Sequence, residues 1–382
     1  MKRVIRVCSL LLLAVAGASE LQAVSPVCPL PSVKASWPTT NPVWEFCYLR
    51  PSQSSATQGS SLELRDVYYN GRMVLKRAHS PILFAEYTSG TCYRDWKDDD
   101  ADFLAPPSVR NMVGVPTFSV KTSCDVSMLP TTSYGSCPFS QGNPGADCFT
   151  GVALEDRGSY LTITTQHSAA WYQYASRFIF HLDGSFEPEF GFGNSDGTNN
   201  GITHWHHNYW RLDFDIEGSA NDIISENNVV QGLEFATKRC NAGTSPSCST
   251  ERQWTVTDTL TGRGYRILPS AEDYVTPTNQ SGVGRHQIDF IGATYIAGEY
   301  GDHANNQLSD CIFAHANLAN SGDLDGAAGV GTDVVVYYRS GVRDRTNEGA
   351  GTQDSMVCKK AGPVIAPIGD WSEAPAFLNG FE

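Results

Sequence analysis

The sequence predicts an all-β protein built as one large β-sandwich, and three observations lead to this prediction. Hydrophobic residues make up 41% of the 382 residues and charged residues only 18%, which is too apolar for a disordered chain. Gly (35) and Pro (20) are frequent, and turn residues separate short runs rich in β-branched and aromatic side chains. No long stretch shows helical periodicity. One sandwich can take up this length, although about 150 residues per domain is usual.

Four segments carry the clearest strand signals. They are residues 62–69, 160–165, 177–182 and 333–338. Asn70-Gly71 follows the first segment and Asp183-Gly184 follows the third, and both dipeptides are typical of tight hairpin turns. The sequence therefore predicts antiparallel hairpins.

The chain begins with a basic region and a short apolar run, followed by small residues up to Ala18 and Ala23. This pattern is typical of a secretory signal peptide, and the run is too short to cross a bilayer. We assign residues 1–23 to the signal, 24–43 to an extended lead-in and 44–382 to a single domain. The predicted location is secreted or periplasmic, with no membrane partner.

Charge and cysteine content agree with export. Lys and Arg number 27 against 41 Asp and Glu, which gives a net charge of −14 and argues against nucleic acid as a partner. Of the 11 cysteines, Cys8 lies in the signal, and the other ten could form five disulfides in an oxidising compartment. Cys240 and Cys248 flank a short loop and could close a hairpin.

The most informative local segment is His204-Trp-His206-His207, which is followed by Asp213 and Asp215. In a strand, His204 and His206 point to one face and His207 to the other. Imidazoles favour copper, zinc or iron, whereas the aspartates offer hard oxygen ligands to a different ion. The alternative is that both histidines only pack in the core or face solvent.

From 204 to 218 the chain resembles the catalytic domain of copper/topaquinone amine oxidases. That family carries His-x-His, four further residues, Arg-Leu-Asp and then Asp/Glu-Gly, as here. The resemblance extends to residues 62–78, to Tyr87, Arg94 and Trp96, and to the strand that begins at Asp333. It covers about residues 44–345 and does not include the family's smaller N-terminal domains.

The resemblance implies an enzyme that oxidises primary amines with O2 and water to aldehyde, ammonia and H2O2. Its cofactors would be copper and topaquinone, and the quinone would derive from Tyr172, eleven residues before Asp183. Tyr87 would hydrogen-bond the quinone. The protein's part would be to orient the cofactor, supply a base and exclude water.

This chain departs from the family at three places. The family's cofactor motif Asn-Tyr-Asp/Glu-Tyr reads Trp171-Tyr172-Gln173-Tyr174 here. The base aspartate would fall on Ala101, so a one-residue slip would bring in Asp100, our first choice, or Asp102; the alternative is that both lie in a solvated acidic turn. The third copper ligand would fall on Asp344. The alternatives are that His286, His303 or His315 supplies it, or that copper is not bound in the family's manner.

A second, peripheral site for calcium or manganese is also implied by the resemblance. Its ligands would be Asp213, the carbonyl of Phe214, Asp215, Asp333 and the carbonyl of Val334. Cys124 and Cys148 resemble the disulfide that precedes the family's cofactor strand, and a homodimer is the expected assembly. The alternative function is a catalytically silent extracellular protein of the same fold, a structural or binding protein that binds metal only at this peripheral site.

Overall fold

The structure, a computed structural model, describes part of the chain. The described ranges are 25–49, 53–55, 61–87, 92–95, 153–169, 172–194, 204–238, 252–269, 288–297, 322–326, 329–344 and 359–372. The signal segment 1–23 lies outside them, as do Cys124, Cys148, Cys240 and Cys248.

The described residues form two antiparallel sheets, with strands numbered in chain order. The nine-stranded sheet A contains β1 (Val33–Trp37), β2 (Trp44–Leu49), β3 (Glu63–Tyr69), β4 (Arg72–Tyr87), β5 (Cys92–Asp95), β10 (His204–Phe214), β13 (Phe235–Lys238), β16 (Ile288–Thr294) and β17 (Val334–Asp344). The ten-stranded sheet B contains β6 (Ala153–Asp156), β7 (Tyr160–Ala169), β8 (Tyr172–His181), β9 (Phe186–Asn194), β11 (Asp222–Glu226), β12 (Val229–Val230), β14 (Trp254–Asp258), β15 (Gly264–Leu268), β18 (Lys359–Ala361) and β19 (Val364–Ile368). The predicted all-β sandwich is confirmed.

The order of strands explains which part of the fold is most buried. Sheet A runs β1-β2-β3-β4-β10-β17-β16-β13, with β5 also paired to β4, so β10 is a central strand. Sheet B runs β12-β11-β14-β15-β19-β9-β8-β7-β6, with β18 paired to β9. All eleven residues of β10 are buried. Side chains carried by this strand are therefore largely withdrawn from solvent.

Aromatic side chains fill the space between the sheets. Trp254 of sheet B stacks on Phe290 of sheet A, with ring centroids 4.2 Å apart and parallel planes (1°). Phe178 meets the edge of Trp210 at 5.1 Å. Such ring pairs favour offset or edge-on contact and bury large apolar areas. They belong to one continuous core between the sheets. His204 and His206, at the start of β10, are buried in it.

The lead-in contributes to sheet A. Residues 33–37 form β1, which pairs with β2 from Val33–Tyr48 to Trp37–Trp44. Cys28 and Cys47 form a disulfide that ties the start of the described chain to β2. Within the described residues, no helix is long and apolar enough to span a membrane.

Candidate functional site

Strand β10 places His204 and His206 in the core at one of its ends. Both side chains are fully buried. Their ring centroids lie 4.8 Å apart with planes at 70°, so one imidazole meets the other edge-on. His207 lies on the opposite face, where it contacts the ring of Phe84 and Nη1 of Arg339. The backbone alternation of a strand explains this division.

His206 is hydrogen-bonded across the sandwich. The hydroxyl of Tyr174, on β8 of sheet B, lies 2.8 Å from Nδ1 of His206. Tyr174 is 1% exposed and its ring stacks near Phe190. Burial lowers the pKa of His206 well below its usual value, so the imidazole is neutral at physiological pH. Neutral imidazole is the form that binds metals.

His204 is oriented within its own sheet. Its register partner on β4 is Tyr87, and its register partner on β17 is Asp344. The rings of Tyr87 and His204 stack with centroids 4.7 Å apart and planes 17° from parallel. Residues opposite each other in neighbouring antiparallel strands project to the same face. Tyr87, His204 and the backbone of Asp344 therefore form a row across three strands.

The histidine pair fits two ligand positions of a transition-metal site. Among the described side chains, no third His, Cys, Asp or Glu completes a ligand set with them. The side chains of Tyr172 and Asp344 lie outside the described part, although their backbones are placed in β8 and β17. Several residues proposed from the sequence fall wholly outside it. They are Asp100, Asp102, His286, His303 and His315.

A cluster of carboxylates lies at the other end of β10. Asp213, Asp215 and Asp333 each offer an oxygen, and these atoms lie within 4.8 Å of one another. Phe214 pairs with Val334 in the β10–β17 ladder, so the two backbone positions proposed from the sequence are adjacent as well. Nine residues of strand separate Asp213 from His204, about 30 Å at 3.3 Å per residue. The two candidate sites are therefore separate.

The electrostatics of this cluster suit a hard cation. Burial and the neighbouring Asp213 raise the pKa of Asp215 to about 7, and the same causes raise the pKa of Asp333 to about 7. Oδ1 of Asp215 and Oδ1 of Asp333 are buried without a hydrogen-bond partner among the described residues. Buried, unsatisfied carboxylate oxygens are costly in an apoprotein. A divalent cation of the calcium or manganese type would satisfy them.

Arg211 partly neutralises the negative charge of one of the three carboxylates, that of Asp213. Its Nη1 donates to Oδ2 of Asp213 at 3.2 Å, and its Nε donates to the hydroxyl of Tyr337. Burial raises the pKa of Asp213, and the charge of Arg211 opposes this increase. The net charge presented to a cation is thus smaller than three carboxylates alone would give.

Two residues of these sites were given no role from the sequence. Tyr174 follows Tyr172 at the next position on the same strand face, but nothing local indicates that it reaches His206 in the other sheet. Asp222 joins the carboxylate region through two backbone hydrogen bonds with Thr332. Burial raises the pKa of Asp222 to about 9, so it is a neutral acid at physiological pH and adds no charge there.

Comparison with solved structures finds the same fold in copper amine oxidases. A copper-containing benzylamine oxidase from Hansenula polymorpha is 13% identical and superposes with a TM-score of 0.56, over 87% of this chain and 59% of its own. A lysyl oxidase from Pichia pastoris is 13% identical with a TM-score of 0.50, over 85% of this chain and 51% of its own. The chain thus spans little more than half the length of these proteins. No protein-family model matches the sequence, and neither does any curated protein. At this identity, the similarity shows a shared sandwich fold.

Proposed function

We propose that this chain is an exported, copper-dependent primary-amine oxidase that converts a primary amine, O2 and water to aldehyde, ammonia and H2O2. The observation that carries the proposal is the buried pair His204 and His206, of which His204 lies in one row with Tyr87 and the backbone of Asp344. Two fully buried imidazoles on one face of a strand are a donor pair that suits a transition metal. The shared fold with copper-containing amine oxidases supports the same assignment.

The proposal gives a role to each candidate residue near His204 and His206. Copper and a topaquinone derived from Tyr172 would supply the redox chemistry. His204 and His206 would bind the metal, with Asp344 or a histidine from another segment as third ligand. Tyr87 would hydrogen-bond and orient the quinone, and its stack on His204 fixes the plane of that imidazole. Asp100 or Asp102 would accept the α-proton of the amine.

Export is supported by the Cys28–Cys47 disulfide, because such bonds persist in oxidising compartments. The proposed partners are a small primary amine and O2, with neither nucleic acid nor membrane. A homodimer is part of the proposal, and sedimentation of the purified protein tests it.

The decisive experiment is a mass measurement on protein expressed with copper in air. Cleavage after Arg157 and Arg177 releases residues 158–177, which contain Tyr172 and Tyr174. We expect Tyr172 to gain two oxygens and lose two hydrogens, the protein to contain copper, and a primary amine to yield peroxide. Unmodified Tyr172 in copper-containing, aerated protein contradicts the oxidase assignment.

The second candidate is a catalytically silent extracellular protein that binds a divalent cation at Asp213, Asp215 and Asp333. The unsatisfied buried oxygens of Asp215 and Asp333 favour it, because they do not depend on the histidine pair. Calcium or manganese binding together with an unmodified Tyr172 supports this candidate. If the cation site is instead accompanied by a quinone and peroxide production, the site belongs to the oxidase.

A further inference from the structure

The hydrogen bond between Tyr174 and His206 orients the second histidine of the pair. His204 is already oriented inside sheet A by its stack on Tyr87. His206 has no such aromatic neighbour at its register positions, which are Ala85 and Val342. Its described orienting contact comes from the opposite sheet, through the Tyr174 hydroxyl at 2.8 Å from Nδ1.

The geometry of that contact goes beyond packing. The two ring centroids lie 5.6 Å apart with planes at 61°, so the phenol approaches the imidazole at its edge, where the nitrogen is. Tyr174 itself is fixed by its position in the interior of sheet B, between β7 and β9, and by the ring of Phe190. A rigid, buried phenol therefore defines where Nδ1 of His206 points.

The contact occupies Nδ1 of His206, so Nε2 is the nitrogen that remains for a metal. Neutral histidine carries one hydrogen, on either Nδ1 or Nε2, and a metal needs the nitrogen without it. When a metal binds Nε2, the hydrogen is on Nδ1 and must be donated to an acceptor. The oxygen of Tyr174 is such an acceptor at hydrogen-bond distance. Partners of this kind typically strengthen metal binding about 10–100-fold.

We propose that Tyr174 is a positioning residue that hydrogen-bonds Nδ1 of His206 and so leaves Nε2 as the nitrogen that binds a transition metal. This inference rests on the proposed copper site and adds a residue to it. Tyr174 does not bind the metal. It acts through His206, by fixing the direction of the ring and by accepting the Nδ1 hydrogen when a metal binds Nε2.

The test compares Cu(II) binding by the wild-type protein with that of Tyr174→Phe, which removes only the hydroxyl. The matched control is Tyr265→Phe. Tyr265 is equally buried in the same core, and its hydroxyl has no hydrogen-bond partner among the described residues. His206→Ala gives the baseline for loss of the ligand. Affinity is measured by competition with a chelator, and unfolding in urea verifies that each variant is folded.

We expect Tyr174→Phe to weaken Cu(II) binding about 10–100-fold, and Tyr265→Phe to leave it unchanged. A purely structural role would not move two further readouts. One is the electron paramagnetic resonance spectrum of bound Cu(II), which reports ligand geometry. The other is the 15N spectrum of His206 in the metal-free protein, which reports the tautomer. Both should change in Tyr174→Phe alone.

The possible outcomes separate this inference from the proposed function. If Cu(II) binding depends on His206 and Tyr174→Phe matches the wild type in affinity and in both spectra, the inference is overturned and the copper site stands. If Cu(II) binding depends on neither His204 nor His206, both are overturned. Equal weakening by Tyr174→Phe and Tyr265→Phe also contradicts the inference, because it would indicate a general effect on the core.

Discussion

The phenol ring of Tyr87 covers one face of the imidazole of His204, with ring centroids 4.7 Å apart and planes 17° from parallel. A metal binds an imidazole nitrogen in the plane of the ring, and the stack fixes that plane for His204. His206 is held edge-on to the same imidazole. The planes of both rings are therefore held by neighbouring rings.

His204→Ala and His206→Ala should each abolish tight Cu(II) binding, because two imidazoles in one strand cannot chelate when one is removed. The control is His181→Ala, since His181 is partly exposed and its Nε2 lies 2.9 Å from Glu187 on sheet B. Copper content after dialysis measures the effect. Retention of stoichiometric copper by either β10 variant would place the metal elsewhere.

Substitution of Glu63 should lower the stability of the fold more than substitution of most other charged residues of sheet A. Its carboxylate is fully buried, pairs with Arg65 at 2.6 Å and Arg77 at 3.2 Å, and accepts a hydrogen bond from the Ser55 hydroxyl. Glu63→Gln keeps the shape but removes the charge, which leaves two partly buried guanidinium groups poorly compensated. We expect a loss of about 3 kcal/mol in the free energy of unfolding in urea. Glu45→Gln, which breaks a partly exposed pair with Lys34, should cost under about 1 kcal/mol.

The parts of the fold that depend on neighbouring residues could be predicted from the sequence. The β3–β4 hairpin follows from Asn70-Gly71, which adopts positive φ at both residues (50° and 71°), as a tight hairpin turn requires. The sheet order β4-β10-β17 could not be derived locally, because it joins segments more than a hundred residues apart. That placement depends on how distant apolar faces pack.

Some parts of the candidate sites could likewise be predicted from neighbouring residues, and other parts could not. His204 and His206 are two residues apart on β10, and Asp213 and Asp215 are two residues apart where β10 ends, so the proximity within each pair follows from the extended backbone. Asp333 joins the second pair only because β17 lies beside β10. The contact of Tyr174 with His206 crosses from one sheet to the other, and it requires the packed sandwich. No local pattern encodes a distance of that kind.

Alanine substitutions at Gly184 and Gly158 distinguish the cost of backbone strain from the cost of steric overlap. Both have positive φ (87° and 80°), but a Cβ on Gly184 would lie 2.5 Å from the ring of Tyr69, whereas nothing lies within 4 Å of one on Gly158. Gly158→Ala should therefore cost about 1 kcal/mol from φ alone. Gly184→Ala should cost about 1–3 kcal/mol more, because Tyr69 must move. Urea unfolding measures both, and equal costs would show that the Tyr69 ring yields freely.

Asp215 and Asp333 should make the stability of the cation-free protein fall as pH rises. Both pKa values are raised from 3.8 to about 7 by burial and by neighbouring carboxylates, so the folded state favours their protonated forms. That stabilisation is complete below the unfolded pKa and is lost as pH rises through about 7. In chelator, the melting temperature of the wild type should therefore fall between about pH 5 and about pH 8 relative to Asp215→Asn, which cannot ionise at this position. Excess calcium or manganese should raise the melting temperature of the wild type but not that of Asp215→Asn. The control is Glu187→Gln, near His181 in sheet B, which should respond to the cation as the wild type does. A cation effect of equal size in Asp215→Asn would exclude this carboxylate as a ligand.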